Sequence, residues 1–526
     1  MRFRSFVRPG IRLTTAAAAT ILVLAAGLTG CSSATDADAK VLTVAASVGP
    51  TSLDPMLQAV DQINNMYINL AYDSLTRIDG NGEVVPDLAT RWEYTDDTQT
   101  VLAVTLRDGV RFSDGFPMTA ESVAKSLDYG RTKGVNGPNW LGSVTSVTPA
   151  NDNTVLITSS EPNDALPFLL SQRMLLGSVV SEDGLGDPQS LKRGTYGAGP
   201  YMLDYEQTIS NDTYVYVPNP HYWDDSRIKW DKVVIKVVGN YSAALQAVQS
   251  GAADLFSADR PTAAAARERG LSVATAPFGL TGIGYLDRAG ETVPALGDPR
   301  VRQALNYAID RPSISDAVFK DFSVPNASLV LNGFPGYDPQ DVDAFAFDLD
   351  KAKQLLVEAG YPDGFTFEMS APTSNNTNLV AQAVIENWAK IGVNANLTTY
   401  TDLGQLRADV IAKKFPVVAF NYGALPTYVQ AKSFFTGGAN QYNPWKVSNP
   451  QVDAALHSGA VALDDDSRNA AYADAWRTAL VDQAWFSNVY VRDQVTVYDP
   501  TRVSGVDITT QNPVVDLAWT VNPTQP

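Results

Sequence analysis

The sequence predicts an α/β fold with mixed sheets, divided over more than one domain. Helix patterns and strand patterns alternate through much of the chain, which is typical of sheets covered by helices. The chain has 526 residues, more than one hydrophobic core normally supports. Apolar residues make up 45% of the chain, which is ample material for several cores.

The strands are predicted from short apolar runs that end at turn residues. The first run is closed by Gly49-Pro50, a pair that favours a turn. Runs of this kind lie at residues 41–45, 92–94, 100–106, 232–238, 365–370 and 393–399.

The helices are predicted from capping residues followed by apolar side chains three and four positions apart. Thr119 begins one such segment, and Asp298 followed by Pro299 begins another. Helices are also expected at residues 62–74, 242–249 and 350–359. Arg300 and Arg302 lie near the positive end of their helix, so we expect them to pair with acids on another element.

The only cysteine, Cys31, ends the segment Leu28-Thr29-Gly30-Cys31. Four arginines and an apolar stretch at residues 16–28 precede it, as in a secretory signal peptide. That stretch is shorter than the roughly 20 residues that span a bilayer. The segment resembles the lipobox of bacterial lipoproteins, in which the cysteine begins the mature chain and carries a diacylglyceryl group. The alternative is a signal peptide with an incidental cysteine.

The resemblance implies that residues 1–30 are a signal peptide and that Cys31 is the lipidation site. Residues 31–40 are small and polar, which suits a flexible tether. The protein is therefore expected outside the cytoplasm, anchored to the cell membrane by its N-terminal lipid.

Charge and composition exclude several classes of function. Without residues 1–30 the chain has 35 basic and 57 acidic residues, a formal charge of −22 that argues against nucleic-acid binding. One cysteine cannot form an intrachain disulfide. Together with His221 and His457, the only histidines, it supplies too few soft ligands for a zinc or copper cluster. We expect no metal and no cofactor. The sequence has no nucleophile elbow, zincin motif or phosphate loop, so we expect no enzymatic activity.

Four regions together carry a family resemblance. They contain Pro86-Asp87-Leu88-Ala89 with Leu106-Arg107-Asp108-Gly109, Gly197-Ala198-Gly199-Pro200-Tyr201 with Asn219-Pro220-His221-Tyr222-Trp223, Asp298-Pro299-Arg300-Val301-Arg302, and Glu358-Ala359-Gly360-Tyr361-Pro362. In order and spacing they resemble the extracellular solute-binding proteins of family 5, the peptide- and nickel-type receptors of ABC importers. None of these segments needs a ligand to explain it, so we expect them to be scaffold.

The resemblance implies a two-lobed periplasmic-binding-protein-like fold with an extra small domain, of the family 5 or cluster C type. Lobe I would comprise residues 41–56, 168–281 and 490–526. The small domain would comprise residues 57–167, and lobe II residues 282–489. Such a protein is expected to be a monomer that closes on a solute and delivers it, unchanged, to a membrane permease and its ATPase.

The class of solute is left open by the residues. Peptide-binding relatives commonly hold the peptide ammonium with an aspartate in a stretch that matches residues 420–426, and here that stretch contains no acid. Burying an ammonium without a carboxylate is costly. The sequence therefore favours an oligosaccharide, a blocked or modified peptide, or another neutral polar solute, unless an acid from another segment, such as Asp54 or Asp402, holds a peptide ammonium.

Neutral and aromatic residues are the candidate ligand contacts. Amide side chains both donate and accept hydrogen bonds, and aromatic faces stack on flat or ring-shaped groups. The candidates are Val48, Gly49, Ser52, Trp140, Asn421, Tyr422, Tyr442, Asn443 and Trp445. An alternative function is an envelope sensor or regulatory scaffold with the same fold and no transport role.

Overall fold

The computed structural model describes residues 40–58, 60–436 and 442–524, without the side chains of Gln62 and Asp321. The predicted signal peptide, Cys31 and most of the tether lie outside these residues. Within the described ranges no helix is both long enough and apolar enough to cross a membrane.

The strands include every run predicted from the sequence, most of them with bounds shifted by one or two residues. They are β1 Val41–Ala46, β2 Thr76–Ile78, β3 Val84–Pro86, β4 Ala89–Tyr94, β5 Val101–Leu106, β6 Val144–Asn151, β7 Thr154–Ser159, β8 Tyr201–Leu203, β9 Thr213–Pro218, β10 Lys232–Val237, β11 Leu255–Ser257, β12 Ser272–Tyr285, β13 Ser323–Pro325, β14 Thr366–Pro372, β15 Asn394–Tyr400, β16 Val417–Gly423, β17 Phe486–Tyr498, β18 Val503–Ser504 and β19 Asn522–Pro523.

The helices begin at the capping residues that the sequence predicts, with Thr119 and Asp298 both accepting hydrogen bonds from first-turn N–H groups. They are α1 Gln62–Ile68, α2 Ala120–Lys133, α3 Gly137–Trp140, α4 Leu166–Leu169, α5 Glu182–Gly186, α6 Tyr241–Gln249, α7 Arg260–Glu268, α8 Pro299–Tyr307, α9 Arg311–Val318, α10 Leu349–Glu358, α11 Thr377–Ala389, α12 Leu403–Ile411, α13 Thr427–Phe434, α14 Pro450–Val461 and α15 Asp465–Arg477.

The largest sheet has eleven strands and is mixed, as predicted. Its order is β15-β14-β16-β12-β17-β11-β1-β10-β9-β8, with β13 paired to β17. Strand β1 runs parallel to β10 and β11, whereas β12 is antiparallel to both β16 and β17. A separate four-stranded antiparallel sheet, β4-β5-β7-β6, lies within residues 89–159.

Two long strands, β12 and β17, run through the middle of the large sheet. They pair with each other from Ser272↔Tyr498 to Gly284↔Phe486. The first half of β12 lies beside β1 and β11 across β17, and its second half pairs with β16. The pair is therefore continuous between the two groups of strands.

Separate apolar clusters lie on the two sides of this pair. One contains β1, β10 and the chain end near residues 503–521, and another contains α8, α10, α11 and β14. A third joins the four-stranded sheet to helices α13, α14 and α15.

Arg300 and Arg302 correct one prediction, because neither pairs with an acid on another element. Arg300 pairs with Asp298, the cap of its own helix, at 2.6 Å. The buried Arg302 donates instead to backbone carbonyls of Leu296 and Gln483. Carbonyl oxygens satisfy the buried guanidinium without the desolvation of a second charge.

The family-like segments meet in a buried polar cluster, which supports their role as scaffold. Asp73 accepts hydrogen bonds from the Tyr222 hydroxyl at 2.9 Å and from Trp223 Nε1 at 3.2 Å. Burial raises the pKa of Asp73 to about 6, although Arg77 opposes that shift. Arg227 lies 3.6 Å from the buried Asp87. Side chains distant in sequence are thus tied together inside the protein.

Candidate functional site

The pairing of β12 with β17 is irregular at two points, and a cavity lies beside the first of them, at Phe278. Pro277 pairs with Asp493 and Gly279 with Arg492, so Phe278 is an extra residue without a partner on β17. Such a bulge bends a strand and redirects its side chains. The adjoining space, here called the hinge cavity, measures about 360 Å³. Its lining includes Val48, Asn64, Tyr241, Phe278, Phe319, Asn375, Arg492 and Asp493.

Arg492 lines the hinge cavity without an ion pair in the described chain. Its Nε is shielded from solvent and has no hydrogen-bond partner among the described residues. Burial lowers the pKa of Arg492. A β-carbon built at Gly279 would lie 2.5 Å from Arg492 Nε, so the guanidinium crosses the strand where only glycine leaves room.

Asp493 is the next residue and also lines the hinge cavity. Burial raises the pKa of its carboxyl, and the nearby Arg267 opposes that shift. Asp493 accepts no hydrogen bond from any side chain or backbone group that the structure describes. Two other acids at this cavity are already used, because Asp61 caps α1 through Asn64 N–H at 2.8 Å and Asp259 caps α7 through Thr262 N–H at 3.0 Å.

Behind the hinge cavity, Phe278 packs against a second buried arginine. The Arg173 guanidinium lies 5.0 Å from the Phe278 ring centroid. Burial lowers the pKa of Arg173 to about 10, and the charge of Asp61 opposes the shift. Its Nη1 has no hydrogen-bond partner within residues 40–58, 60–436 and 442–524. The bulge is therefore flanked by two arginines.

A second cavity, of about 490 Å³, adjoins the hinge cavity at Asn375. Its lining includes Arg407, Phe420, Asn421 and Tyr442. Asn375 and Asn376 have φ values of 51° and 59° at the start of α11. Asparagine tolerates this left-handed conformation better than most residues, and strained backbone clusters at functional sites.

A third and larger space, of about 1210 Å³, separates the four-stranded sheet from helices α13 to α15. Its buried charges are satisfied within the protein, since Asp164 accepts from the Tyr472 hydroxyl at 2.7 Å and lies 3.4 Å from Arg468 Nε. Lys432 and Glu161 are paired at its edge at 3.0 Å. We therefore place the candidate site at the hinge cavity, where charged groups lack partners.

Three of the predicted contacts border the two smaller cavities. Val48 lines the hinge cavity, with 55% of its surface exposed. Asn421 and Tyr442 line the second cavity. Contact of these residues with a solute stays a prediction.

Trp140 and Tyr422 are brought together by the fold. Trp140 is the last residue of α3. The Tyr422 hydroxyl forms hydrogen bonds with the side chains of both Trp140 and Ser433. The Tyr422 ring also packs on Phe434, with the ring centroids 4.9 Å apart. The Tyr422 ring thus packs within the protein, and the Trp140 indole is held by a hydrogen bond.

Asn443 and Trp445, both predicted as ligand contacts, have their side chains engaged within the protein, and their contact with a solute stays a prediction. The Asn443 amide donates to the carbonyls of Phe435, Thr436 and Val447, and it accepts from Val447 N–H at 3.0 Å. Trp445 is 7% exposed and packs with Leu286, Leu406, Val410 and Val418. Both side chains hold the loop before α14.

Ser52 and Gly49 are also occupied by local structure. The Ser52 hydroxyl accepts from Asp54 N–H at 3.0 Å and is buried. A side chain at Gly49 would meet Asn211 Oδ1 at 2.8 Å, so this residue faces neighbouring protein rather than a cavity. Contact of these two residues with a solute stays a prediction.

Neither of the acids considered as a substitute ammonium partner is free. The buried Asp54 accepts from Met56 N–H at 2.9 Å and from the Tyr129 hydroxyl at 2.6 Å. Asp402 lies on the surface and caps α12 through Gly404 N–H at 2.8 Å.

Comparison with known proteins decides the family. Residues 83–443, well over half of the chain, match the model of the bacterial extracellular solute-binding proteins, family 5 Middle. The chain belongs to this family. The family 5 protein is 27% identical over 411 residues to the dipeptide-binding protein of Escherichia coli, covering 72% of this chain and 75% of that one. It is 26% identical over 476 residues to the glutathione-binding protein GsiB of Salmonella typhimurium, covering 85% and 88% of the two chains.

Solved structures agree with the family. The structure of HbpA2 from Haemophilus parasuis matches the family 5 protein with a TM-score of 0.78 at 23% identity, covering 92% of this chain and 100% of that chain. The predicted two-lobed α/β fold of the family is confirmed.

The charged residues at the hinge cavity were missed by sequence reasoning. Arg492 and Asp493 are the only charged residues of β17, Phe486–Tyr498. Adjacent opposite charges within a strand-like segment were a usable signal, because charged side chains are rarely buried without a partner. Phe278 and Arg173 gave no comparable signal.

Proposed function

We propose that this family 5 protein is the solute receptor of an ABC importer and that it holds a small peptide-like solute at the hinge cavity. The observation that carries this proposal is the pair of charged residues, Arg492 and Asp493, that lines the hinge cavity without ion pairs in the described chain. Charges in a partly buried site are costly unless a partner compensates them. A bound solute would supply that compensation.

The proposed lobes are those predicted from the sequence. Lobe I comprises residues 41–56, 168–281 and 490–526, lobe II residues 282–489, and the small domain residues 57–167. In this division the chain passes between the two lobes near residues 281 and 490. The bulge at Phe278 and its neighbours on β17 lie close to both of these positions. A cavity at this position touches both lobes and would shrink or open as they move.

The class of solute is proposed from two observations. Relatives are named for binding a dipeptide and glutathione, both of which are small peptides. A neutral oligosaccharide would leave the charges of Arg492 and Asp493 at the hinge cavity uncompensated. The peptide-like class is therefore favoured over the oligosaccharide-like class.

The receptor would act by closing rather than by chemistry. A ligand shifts an opening and closing equilibrium only by as much as it prefers one state. Contacts from both lobes to one solute provide such a preference. The closed form would then dock on the permease, and the solute would leave unaltered.

Solute binding and the class of solute can be tested by isothermal titration calorimetry with the purified protein. Panels of dipeptides, tripeptides and short neutral oligosaccharides are titrated separately. We expect saturable binding to at least one peptide and none to the oligosaccharides. Binding of oligosaccharides alone would contradict the proposed class. Binding of neither panel, together with a stable protein partner, would favour the sensor or scaffold instead.

We also propose that lipid on Cys31 anchors the protein at the cell membrane, on the basis of the lipobox-like segment alone. Metabolic labelling with a clickable fatty acid tests this proposal in a bacterial host. The label should enter the wild-type protein and the Ser32→Ala control, and it should be lost in Cys31→Ser. Equal labelling of Cys31→Ser and wild type would contradict the anchor.

A further inference from the structure

We infer that the large cleft between the four-stranded sheet and helices α13 to α15 binds a linear organic polycation of the polyamine type. The large cleft is the space of about 1210 Å³ described above. Among the residues that the structure describes, it shares no lining residue with the hinge cavity or with the second cavity. It is therefore a separate site, and the inference goes beyond the proposed function.

Aromatic rings line the large cleft from more than one element. Trp92 and Tyr94 alternate along β4, so their side chains point to the same face of the four-stranded sheet. Tyr428, on α13, and Tyr337 line the same space. Trp92, Tyr94 and Tyr337 are each partly exposed. Accessible rings can hold methylene groups by apolar contact and ammonium groups by cation–π attraction.

The charge of the lining is strongly negative. Its acids are Glu83, Asp96, Asp97, Asp164 and Asp465. The one basic residue of the described lining, Arg468, already pairs with Asp465 at 2.5 Å. A cleft lined by one sign of charge concentrates ligands of the opposite sign. A neutral sugar could also stack on the rings, but it would leave this charge uncompensated.

Two of these acids have no partner that the structure describes. Glu83 and Asp97 are exposed, and neither side chain forms a hydrogen bond or an ion pair within residues 40–58, 60–436 and 442–524. Glu83 lies just before β3, and Asp97 lies in the turn between β4 and β5. Because the two charges are on different connections, one ligand must be extended to reach both. In the described part of the chain, no group of three or more acidic, histidine or cysteine side chains could hold a metal ion.

The protein's own Lys432 shows the expected contact at the edge of the large cleft. Its ammonium lies 5.9 Å from the Tyr428 ring centroid and pairs with Glu161 at 3.0 Å. One amine thus uses an aromatic face and a carboxylate together. A polyamine would repeat this arrangement in the cleft, with ammonium groups at Glu83 and Asp97 and methylene groups over the rings. The volume exceeds the usual range of small-molecule sites, which leaves room for an extended chain.

The experiment titrates the wild-type protein with spermidine by isothermal titration calorimetry. Octanediol, which has a similar chain and no charge, and Mg²⁺, which has charge and no chain, are the ligand controls. We expect saturable binding of spermidine and no binding of the diol. An equal concentration of Mg²⁺ should not displace spermidine, because the ion makes no contact with the rings.

Variants test whether the site lies in the large cleft. The double variant Glu83→Gln and Asp97→Asn removes two acids of the lining and should weaken spermidine about tenfold. The double variant Glu93→Gln and Asp152→Asn removes two exposed acids outside the lining, and this matched control should bind as wild type. Tyr337→Ala should weaken spermidine about 3- to 10-fold through the loss of one ring.

Three results would overturn the inference. Absence of saturable spermidine binding to wild type would do so, and this arm does not depend on the folding of any variant. Full displacement by an equal concentration of Mg²⁺ would reveal a counterion effect rather than a site. Equal losses in the cleft double variant and in its matched control would assign the attraction to the overall charge of the protein. None of these results bears on peptide binding at the hinge cavity.

Discussion

At the residue scale, Gly279 determines whether Arg492 can lie across the hinge. Its backbone does not need glycine for conformation, because its φ is not in the left-handed region. Glycine is needed for space, since an added β-carbon would lie 2.5 Å from Arg492 Nε and 2.6 Å from its γ-carbon. The residue therefore acts on the proposed site through Arg492.

Gly279→Ala is predicted to displace the Arg492 guanidinium and to weaken peptide binding about tenfold or more, with a smaller effect on stability. Calorimetric titration and thermal unfolding measure the two effects. Gly80→Ala is the control, because nothing lies within 4 Å of the added β-carbon there. Wild-type affinity in Gly279→Ala would show that the position of Arg492 does not matter for binding.

Asp164 is expected to make the free energy of unfolding depend on pH. Burial raises the pKa of its carboxyl to about 6, although the Tyr472 hydroxyl and Arg468 oppose the shift. An acid whose pKa is raised on folding stabilises the folded state while it is protonated. Its contribution is therefore present at low pH and is lost as the pH rises from about 4 to about 6.

Asp164→Asn should remove this loss while keeping an oxygen that can accept from Tyr472. Relative to wild type, its free energy of unfolding should rise between pH 4 and 6, by on the order of 2 kcal/mol. Urea unfolding of both proteins across this range measures the difference, which cancels the contributions of other acids such as Asp73. Parallel profiles would contradict the raised pKa of Asp164.

At the scale of elements, the loop before α14 shows how an amide predicted for the ligand serves the fold. Asn443 links the end of α13 to Val447 through four hydrogen bonds of 2.7 to 3.1 Å. Removal of its side chain would leave buried backbone groups without partners, which is more costly than the loss of an exposed bond.

Asn443→Ala is predicted to lower the free energy of unfolding by about 2–4 kcal/mol. The folded fraction should bind peptide with near wild-type affinity, because the amide does not reach a cavity. Chemical unfolding and calorimetry separate the two properties, with the exposed Asn396→Ala as the control. If Asn443→Ala lost peptide binding but kept wild-type stability, Asn443 would be a ligand contact after all.

Elements were largely predictable because their signals are local. Asp298 and Pro299 mark the start of α8, and the apolar run of β1 is followed by turn residues. The helix predicted at residues 62–74 is shorter in the structure and ends at Ile68. Just beyond it, Leu70 O accepts from Tyr201 N–H at 2.9 Å and Ala71 O accepts from Gly199 N–H at 3.0 Å, long-range contacts that no local pattern reveals. Tertiary pairing therefore sets that end.

The site was less predictable because it is assembled from distant segments. Val48, Tyr241, Phe278, Asn375 and Arg492 come together only when the sheet forms. Sequence patterns pointed to aromatic and amide side chains between positions 421 and 445 as ligand contacts. In the structure several of these side chains pack in the core or hold a loop. Whether a polar side chain is already satisfied depends on neighbours that the linear pattern does not contain.

At the scale of the whole molecule, contacts join the proposed lobe II to the small domain at the larger cleft space. Tyr472 donates to Asp164 at 2.7 Å, Lys432 pairs with Glu161 at 3.0 Å, and Gln99 donates to Val461 O at 2.9 Å. The Lys432–Glu161 pair is partly exposed and contributes little on its own. Tyr472, in contrast, is buried in the apolar cluster that joins the same elements, so the small domain and the proposed lobe II are held together here.

The central claim is that the lobes close around the solute, and the distance between them tests it most directly. Spin labels at Glu206→Cys and Lys353→Cys, both exposed and on opposite proposed lobes, report that distance by double electron–electron resonance once Cys31 is removed. Saturating peptide should move the distance distribution to a single, shorter population. Identical distributions with and without a peptide that calorimetry shows to be bound would contradict the claim.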